Sequence, residues 1–159
     1  MFIVFWFCVS FYGVGSARFK FQDDLELRLI KYKARVERLF RELPKTRQNI
    51  NVISQGSRSV SSIGANYRES CASESARDFL HKATICLKEA KESKYWLLVI
   101  YEENLRLRLR MEGLLSESEE IIKIFGKIVS TTRKRLTGNW LVVTDYWLLT
   151  DEETSWFAY

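Results

Sequence analysis

Acid–base or metal chemistry in this sequence could come from only a few residues. Glu89 and Glu92 stand one helical turn apart, a spacing at which two carboxylates share acid–base work or enter a di-iron site. A di-iron site also needs Glu-x-x-His on two helices, and His81 is the single histidine of 159 residues. His81 sits beside Lys82 near the expected start of a helix, where it should face water. Cys8, Cys71 and Cys86 form no CxxC pair, so no metal site is specified, and an odd cysteine count fits a reducing compartment. Cys71 and Cys86 read as small core residues. With no Gly-rich phosphate loop and no nucleophile elbow, the chain reads as a non-enzyme with no cofactor and no metal.

Basic residues carry the remaining chemical signal. Lys and Arg number 25 against 20 acidic residues, a net charge of +5. Asp145, Asp151, Glu152 and Glu153 lie in a C-terminal stretch without a base, so the residues before it are more cationic than the total. Such an excess favours a polyanionic partner, the competing explanation being a well-solvated helical surface. Two clusters stand out: Arg38, Arg41, Lys45 and Arg47, and the alternating Arg106, Arg108 and Arg110. A third, Arg133, Lys134 and Arg135, is equally well explained by the negative end of a helix dipole.

Helices must position these groups. The spacing predicts four, over about 23–43, 46–72, 75–103 and 107–136, within a body spanning 18–137. Helix one starts at an Asp23 cap, carries Leu25, Leu29, Tyr32, Val36, Leu39 and Leu43 at steps of four and three, and stops at Pro44. Helix two is capped by Thr46 and aligns Ile50, Ile53, Ser57, Val60, Gly64, Tyr67 and Cys71, with Ser57 and Gly64 small enough for a neighbour's close approach. Helix three opens at Ser75 and Asp78 and runs apolar through Phe79, Ala83, Cys86, Ala90 and Leu97. Its stretch from Tyr95 to Tyr101 is apolar on every side, which calls for contacts on more than one face and favours self-association.

Leu105 to Arg110 alternates like a strand, but Leu107, Met111, Leu114, Ser118, Ile121, Phe125, Ile128 and Thr132 keep helical spacing. Helix four is therefore expected from Leu107, with a later start at the Ser116–Glu119 capping box as the alternative and Gly138 as its cap. Short connections make this an all-α, antiparallel up-down-up-down four-helix bundle. The turns after helices one and three then share an end, which brings Arg38, Arg41, Lys45 and Arg47 near Arg106, Arg108 and Arg110.

Both ends of the chain differ from this body. Residues 1–17 are apolar, aromatic and uncharged, short of the roughly 20 residues of a membrane span and without the basic start of a signal peptide. They admit three readings: an upstream-extended start or a poorly structured extension, a membrane-directing or secretory segment, or a strand or helix packed on the body. Residues 138–159, acidic with three tryptophans, form an appendage, as a short strand pair or loosely attached.

The strings SSIGANYRES, DFLHK and KEAKESKYWL, together with LELRLIKYKARV, ELPKT and EEIIKIFGKIV, resemble the 23S rRNA-intervening sequence proteins. Arg58, Ser59, Ser62, Ile63, Ala65, Asn66 and Glu69 match the family's second-helix motif. Asp78, Phe79, Lys88, Glu89, Glu92, Trp96 and Leu97 match its third, and the match spans about Phe21 to Leu136. The resemblance implies a bacterial four-helix bundle that assembles as a homopentamer, from genes set within insertions in large-subunit ribosomal RNA genes. A related bundle, the accessory variability protein of diversity-generating retroelements, is a basic pentamer that binds nucleic acid and a reverse transcriptase. Two functions follow as expectations: a self-associating cytoplasmic bundle that binds ribosomal RNA or other nucleic acid through its basic end, or a scaffold serving a nucleic-acid enzyme. Of the motif residues, Asn66, Glu69, Glu89 and Trp96 either form a buried hydrogen-bond network that fixes helix register or line a binding site. The first is expected, because buried amides and carboxylates need partners.

Overall fold

Pro44 ends one helix and Thr46 begins the next. In the computed structural model, which describes the backbone of residues 3–137 and side chains from residue 20 onward, α1 spans Ile3–Glu42 and α2 spans Arg47–Cys71. Thr46 has extended backbone angles, and its Oγ1 accepts from the Asn49 amide at 3.2 Å. The Pro44 carbonyl, released from any helix, accepts from the Thr46 amide and from Asn49 Nδ2, both at 2.8 Å. Ser75 Oγ accepts from the Asp78 amide at 3.1 Å and opens α3, Ala76–Glu103. One 3₁₀ turn, Leu105–Leu107, leads into α4, Arg108–Leu136. All the described elements are helical.

One expected boundary changes, the start of α1, and the others agree to within one residue. α1 passes through Asp23 without a break, because no proline or glycine separates Ala17 from Asp23 to stop a helix. It has begun by Ile3 rather than at Asp23. α4 is continuous from Arg108, so neither a strand at Leu105–Arg110 nor a start at Ser116 occurs; each would strand backbone groups that the helix satisfies. Gly138 and the remaining C-terminal residues, like the side chains of residues 1–17, lie outside the described residues.

Every predicted apolar position of α1 from Leu25 to Leu43 is buried, joined by Phe40. Ala83, Cys86, Ala90 and Leu97 of α3 and Met111, Leu114, Ser118, Ile121 and Phe125 of α4 are buried as well. The run in α3 splits as its all-round apolarity requires: Leu97 and Ile100 are inside, Tyr95 and Leu98 face out. α2 keeps Val60 and Tyr67 of the expected seam inward but is rotated relative to the rest of it. Val52, Gly56, Ser59, Val60, Ile63, Tyr67 and Ser70 are buried, Ile50 and Cys71 are exposed, and Ser57 and Gly64 are half-exposed. The close approach is at Gly56, where an added Cβ would lie 2.6 Å from Phe40 Cζ; at Gly64 it would meet nothing within 4 Å.

Contacts between helices fall in a consistent order. Between α1 and α2, the Tyr67 hydroxyl donates to the Gln22 carbonyl, Arg68 pairs with Glu26, and Gly56 meets Phe40. Between α2 and α3, Glu69 pairs with Lys82, Cys86 Sγ donates to the Ile63 carbonyl, and Gly56 faces Trp96. α1 reaches α3 through Tyr32 and Ser93, whose hydroxyls lie 2.9 Å apart, and α4 through Arg28 and Glu117 at 2.6 Å. Burial pushes the Tyr32 phenol up to about 12, against hydrogen bonds from Ser93 and Ser118 that pull it down. Three hydroxyls from three helices thus form a polar point inside the core.

Candidate nucleic-acid interface

One carboxylate links the end of α1, beside the first basic cluster, to an arginine of the second. Glu42, the last residue of α1, accepts from both terminal nitrogens of Arg110 in the first turn of α4, at 2.6 and 2.8 Å. Arg110 holds the Glu42 carboxyl below its ordinary range, and Glu42 in turn raises the guanidinium. Arg108 is also committed. Its Nε donates to the Tyr101 carbonyl at 3.0 Å, its Nη2 to Glu102 at 2.8 Å, and its guanidinium carbon lies 4.9 Å from the centre of the Tyr101 ring. This clasp returns the chain from α3 into α4.

The other cations at this end remain available. Arg38 and Arg41 each spend one Nε on a carbonyl of their own helix, those of Ala34 and Glu37. Lys45, Arg47 and Arg106 are exposed and make no hydrogen bond or ion pair with the described residues. Glu102, Glu103 and Glu112 interrupt the cationic surface without neutralising these three. Exposed apolar residues lie here too: Leu105 and Leu109, which spacing did not single out, are 73% and 84% exposed, and Ile50, expected in the helix-two seam, is 56% exposed. The strand-like Leu-Arg alternation was the available signal, since a helix cannot bury every second residue.

The polar motif residues do not form one buried network. Asn66 Nδ2 donates to the Ser62 carbonyl and hydroxyl on its own helix, at 2.9 and 3.0 Å. Glu69 pairs with Lys82 near the α2–α3 turn, and Trp96 Nε1 donates to Glu92 at 3.3 Å, one turn back. Arg58 and Lys88 are exposed and Glu89 is half-buried. These residues lie toward solvent, where water satisfies them; the buried polar contact is that of Tyr32, Ser93 and Ser118. Of the cysteines, Cys86 is buried and its thiol is pushed up to about 12 by that burial, whereas Cys71 is exposed rather than in the core. No group of three metal-ligating side chains occurs among the described residues, and no described helix is long and apolar enough to cross a membrane.

The profile of the 23S rRNA-intervening sequence proteins matches residues 28–127, covering most of the four-helix body. The chain belongs to that family. A crystal structure at 1.70 Å of a protein of unknown function from the S23 ribosomal protein family of Bacteroides thetaiotaomicron VPI-5482 is similar at 32% identity and a TM-score of 0.60. The similarity covers 65% of this chain and 96% of the other. Among curated proteins nothing matches. As a member of the 23S rRNA-intervening sequence proteins, the chain shares their helical body, while residues 1–27 and 128–159 lie outside the matched span.

Proposed function

We propose that this protein is a non-enzymatic, cofactor-free bundle that binds nucleic acid through the pole where α1 ends and α4 begins. The observation that supports the reading is the Arg110–Glu42 pair between the end of α1 and the start of α4, with Lys45, Arg47 and Arg106 nearby in sequence making no hydrogen bond or ion pair with the described residues. Unpaired guanidinium and ammonium groups on a surface attract phosphates and release their counterions. The order of the interhelical contacts supports an antiparallel up-down-up-down arrangement. The half-open apolar side of α3, with Tyr95 and Leu98 exposed, supports self-association, as a pentamer by family resemblance, and a ring of copies multiplies phosphate contacts. A cytoplasmic location accords with the exposed free thiol of Cys71.

Titration with ribosomal RNA fragments and with DNA, across a series of salt concentrations, tests this. Replacing Lys45, Arg47 and Arg106 together by alanine should weaken binding at least about tenfold at low salt and reduce the slope of log K against log salt by about 2 to 3. Unchanged affinity would falsify the reading.

A second reading has its own support in Leu105 and Leu109. Exposed leucines add nothing to a phosphate grip but fit a protein partner, such as a reverse transcriptase that this bundle serves as scaffold or accessory subunit. Recovery of one such enzyme after nuclease treatment, lost on Leu105→Ser with Leu109→Ser, favours it over direct nucleic-acid binding.

A further inference from the structure

The turn from α3 into α4 displays leucines that the bundle does not use. Leu107 packs against the core, whereas Leu105 and Leu109 are 73% and 84% exposed. The backbone that carries them is held in place. The Asn104 amide and its Nδ2 both donate to the Ile100 carbonyl, at 2.9 and 3.1 Å, and the Leu107 amide donates to the Asn104 carbonyl at 2.9 Å. Arg108 is clasped to Tyr101 and Glu102. Four positions apart, the two leucines stand about one turn from each other.

Two guanidinium groups accompany this ridge. Arg106, between the leucines in sequence, is exposed and makes no hydrogen bond or ion pair with the described residues. At Gly113, one turn beyond Leu109, the missing side chain leaves room for Arg35 of α1, whose Nη2 lies 3.3 Å from where a Cβ would stand. Arg35 is likewise exposed, with no hydrogen bond or ion pair to the described residues. Arg106, Leu109 and the tip of Arg35 thus follow one another along the start of α4, with Leu105 beside the first.

Phosphates account for the arginines and not for the leucines. A duplex turns its sugar–phosphate backbone outward and stacks its bases on one another, whereas an unpaired strand offers apolar base faces beside its phosphates. We propose that this ridge takes single-stranded or looped nucleic acid, with unpaired bases resting on Leu105 and Leu109 and phosphates on Arg106 and Arg35. The inference rests on the proposed nucleic-acid function and narrows its ligand to unpaired strands.

Fluorescence anisotropy of the full-length protein with an unstructured strand of about 20 nucleotides and with a duplex of the same length, each as RNA and as DNA, tests it. Phosphate attraction by itself favours the duplex, whose charge is denser. The expected result, in RNA, DNA or both, is nonetheless binding of the strand at least about tenfold tighter than of the duplex. Leu105→Ser with Leu109→Ser should cost the strand about tenfold and the duplex less than about twofold, leaving the slope of log K against log salt unaltered, because apolar contacts release no counterions. Arg35→Ala with Arg106→Ala should weaken both ligands and lower that slope by about 1 to 2. All four side chains are exposed, so both variants should keep the parent's urea midpoint.

Equal or tighter binding of the duplex overturns the inference and leaves the nucleic-acid function standing. So does a leucine variant that loses nothing on the strand, or as much on the duplex. Binding of neither ligand in either form overturns that function, and this inference with it.

Discussion

Glu42 closes the carboxyl end of α1 onto Arg110, 68 positions later in the chain, through two short parallel hydrogen bonds. Glu42 accepts in both, so the geometry survives only while the carboxyl is ionised. Its depressed pKa means that the stabilisation is fully present above the unfolded carboxylate range and disappears as pH falls through the lower folded value. Glu119, lowered chiefly by its hydrogen bond from Lys94, titrates with the same sign. Glu42→Gln should therefore lower the urea midpoint at pH 7, and the gap to the parent protein should narrow as the pH falls below the ordinary carboxylate range. A gap that stays constant over this fall would show that the pair contributes nothing through its charge.

Two glycines of one helix should respond to alanine with opposite signs. At Gly56 the new methyl would lie 2.6 Å from the ring of Phe40, which is itself buried. Overpacking of about 1–3 kcal/mol there outweighs a helix-propensity gain of under about 1 kcal/mol. At Gly64 the methyl meets nothing, so the propensity gain of about 0.5–1 kcal/mol stands alone. Denaturant unfolding of Gly56→Ala and Gly64→Ala measures both, and equal effects would contradict the assigned α1–α2 contact.

Tyr32→Phe removes the hydroxyl that ties α1 to Ser93 inside the core. A net loss of about 0.5–1.5 kcal/mol is expected, with the secondary structure unchanged by circular dichroism. Paired with Ser93→Ala in a double-mutant cycle, the two losses should be less than additive; full additivity means that the bond contributes nothing.

Cys71 and Cys86 should separate cleanly under alkylation. Cys71 is exposed and reacts in the folded protein, while burial keeps the Cys86 thiol protonated and out of reach. Peptide mapping after iodoacetamide treatment at pH 8 should find Cys86 modified only once denaturant is added.

Much of this architecture could be read from the chain itself. Pro44, Thr46 and Ser75 mark breaks by local stereochemistry, which needs no neighbour, and the α1 stripe from Leu25 to Leu43 is apolar enough on one side alone to name its core face. The same reading was right only in part for α2, where Val60 and Tyr67 are buried but Ile50 and Cys71 are exposed; Ser, Gly and Ala populate several sides there and spacing cannot rank them. The Phe40 ring chooses Gly56, and with it the inward side of the whole helix.

The basic pole divides in the same way. The number of cations and their placement in two turns belong to the sequence. Which of them are engaged depends on their neighbours in the fold: Glu42, 68 positions away, takes Arg110, Glu102 and Tyr101 across the α3–α4 turn take Arg108, and Lys45, Arg47 and Arg106 make no hydrogen bond or ion pair with the described residues. Helix boundaries follow from interactions within a few residues, whereas an ion pair across 68 positions exists only once the fold has brought its two ends together.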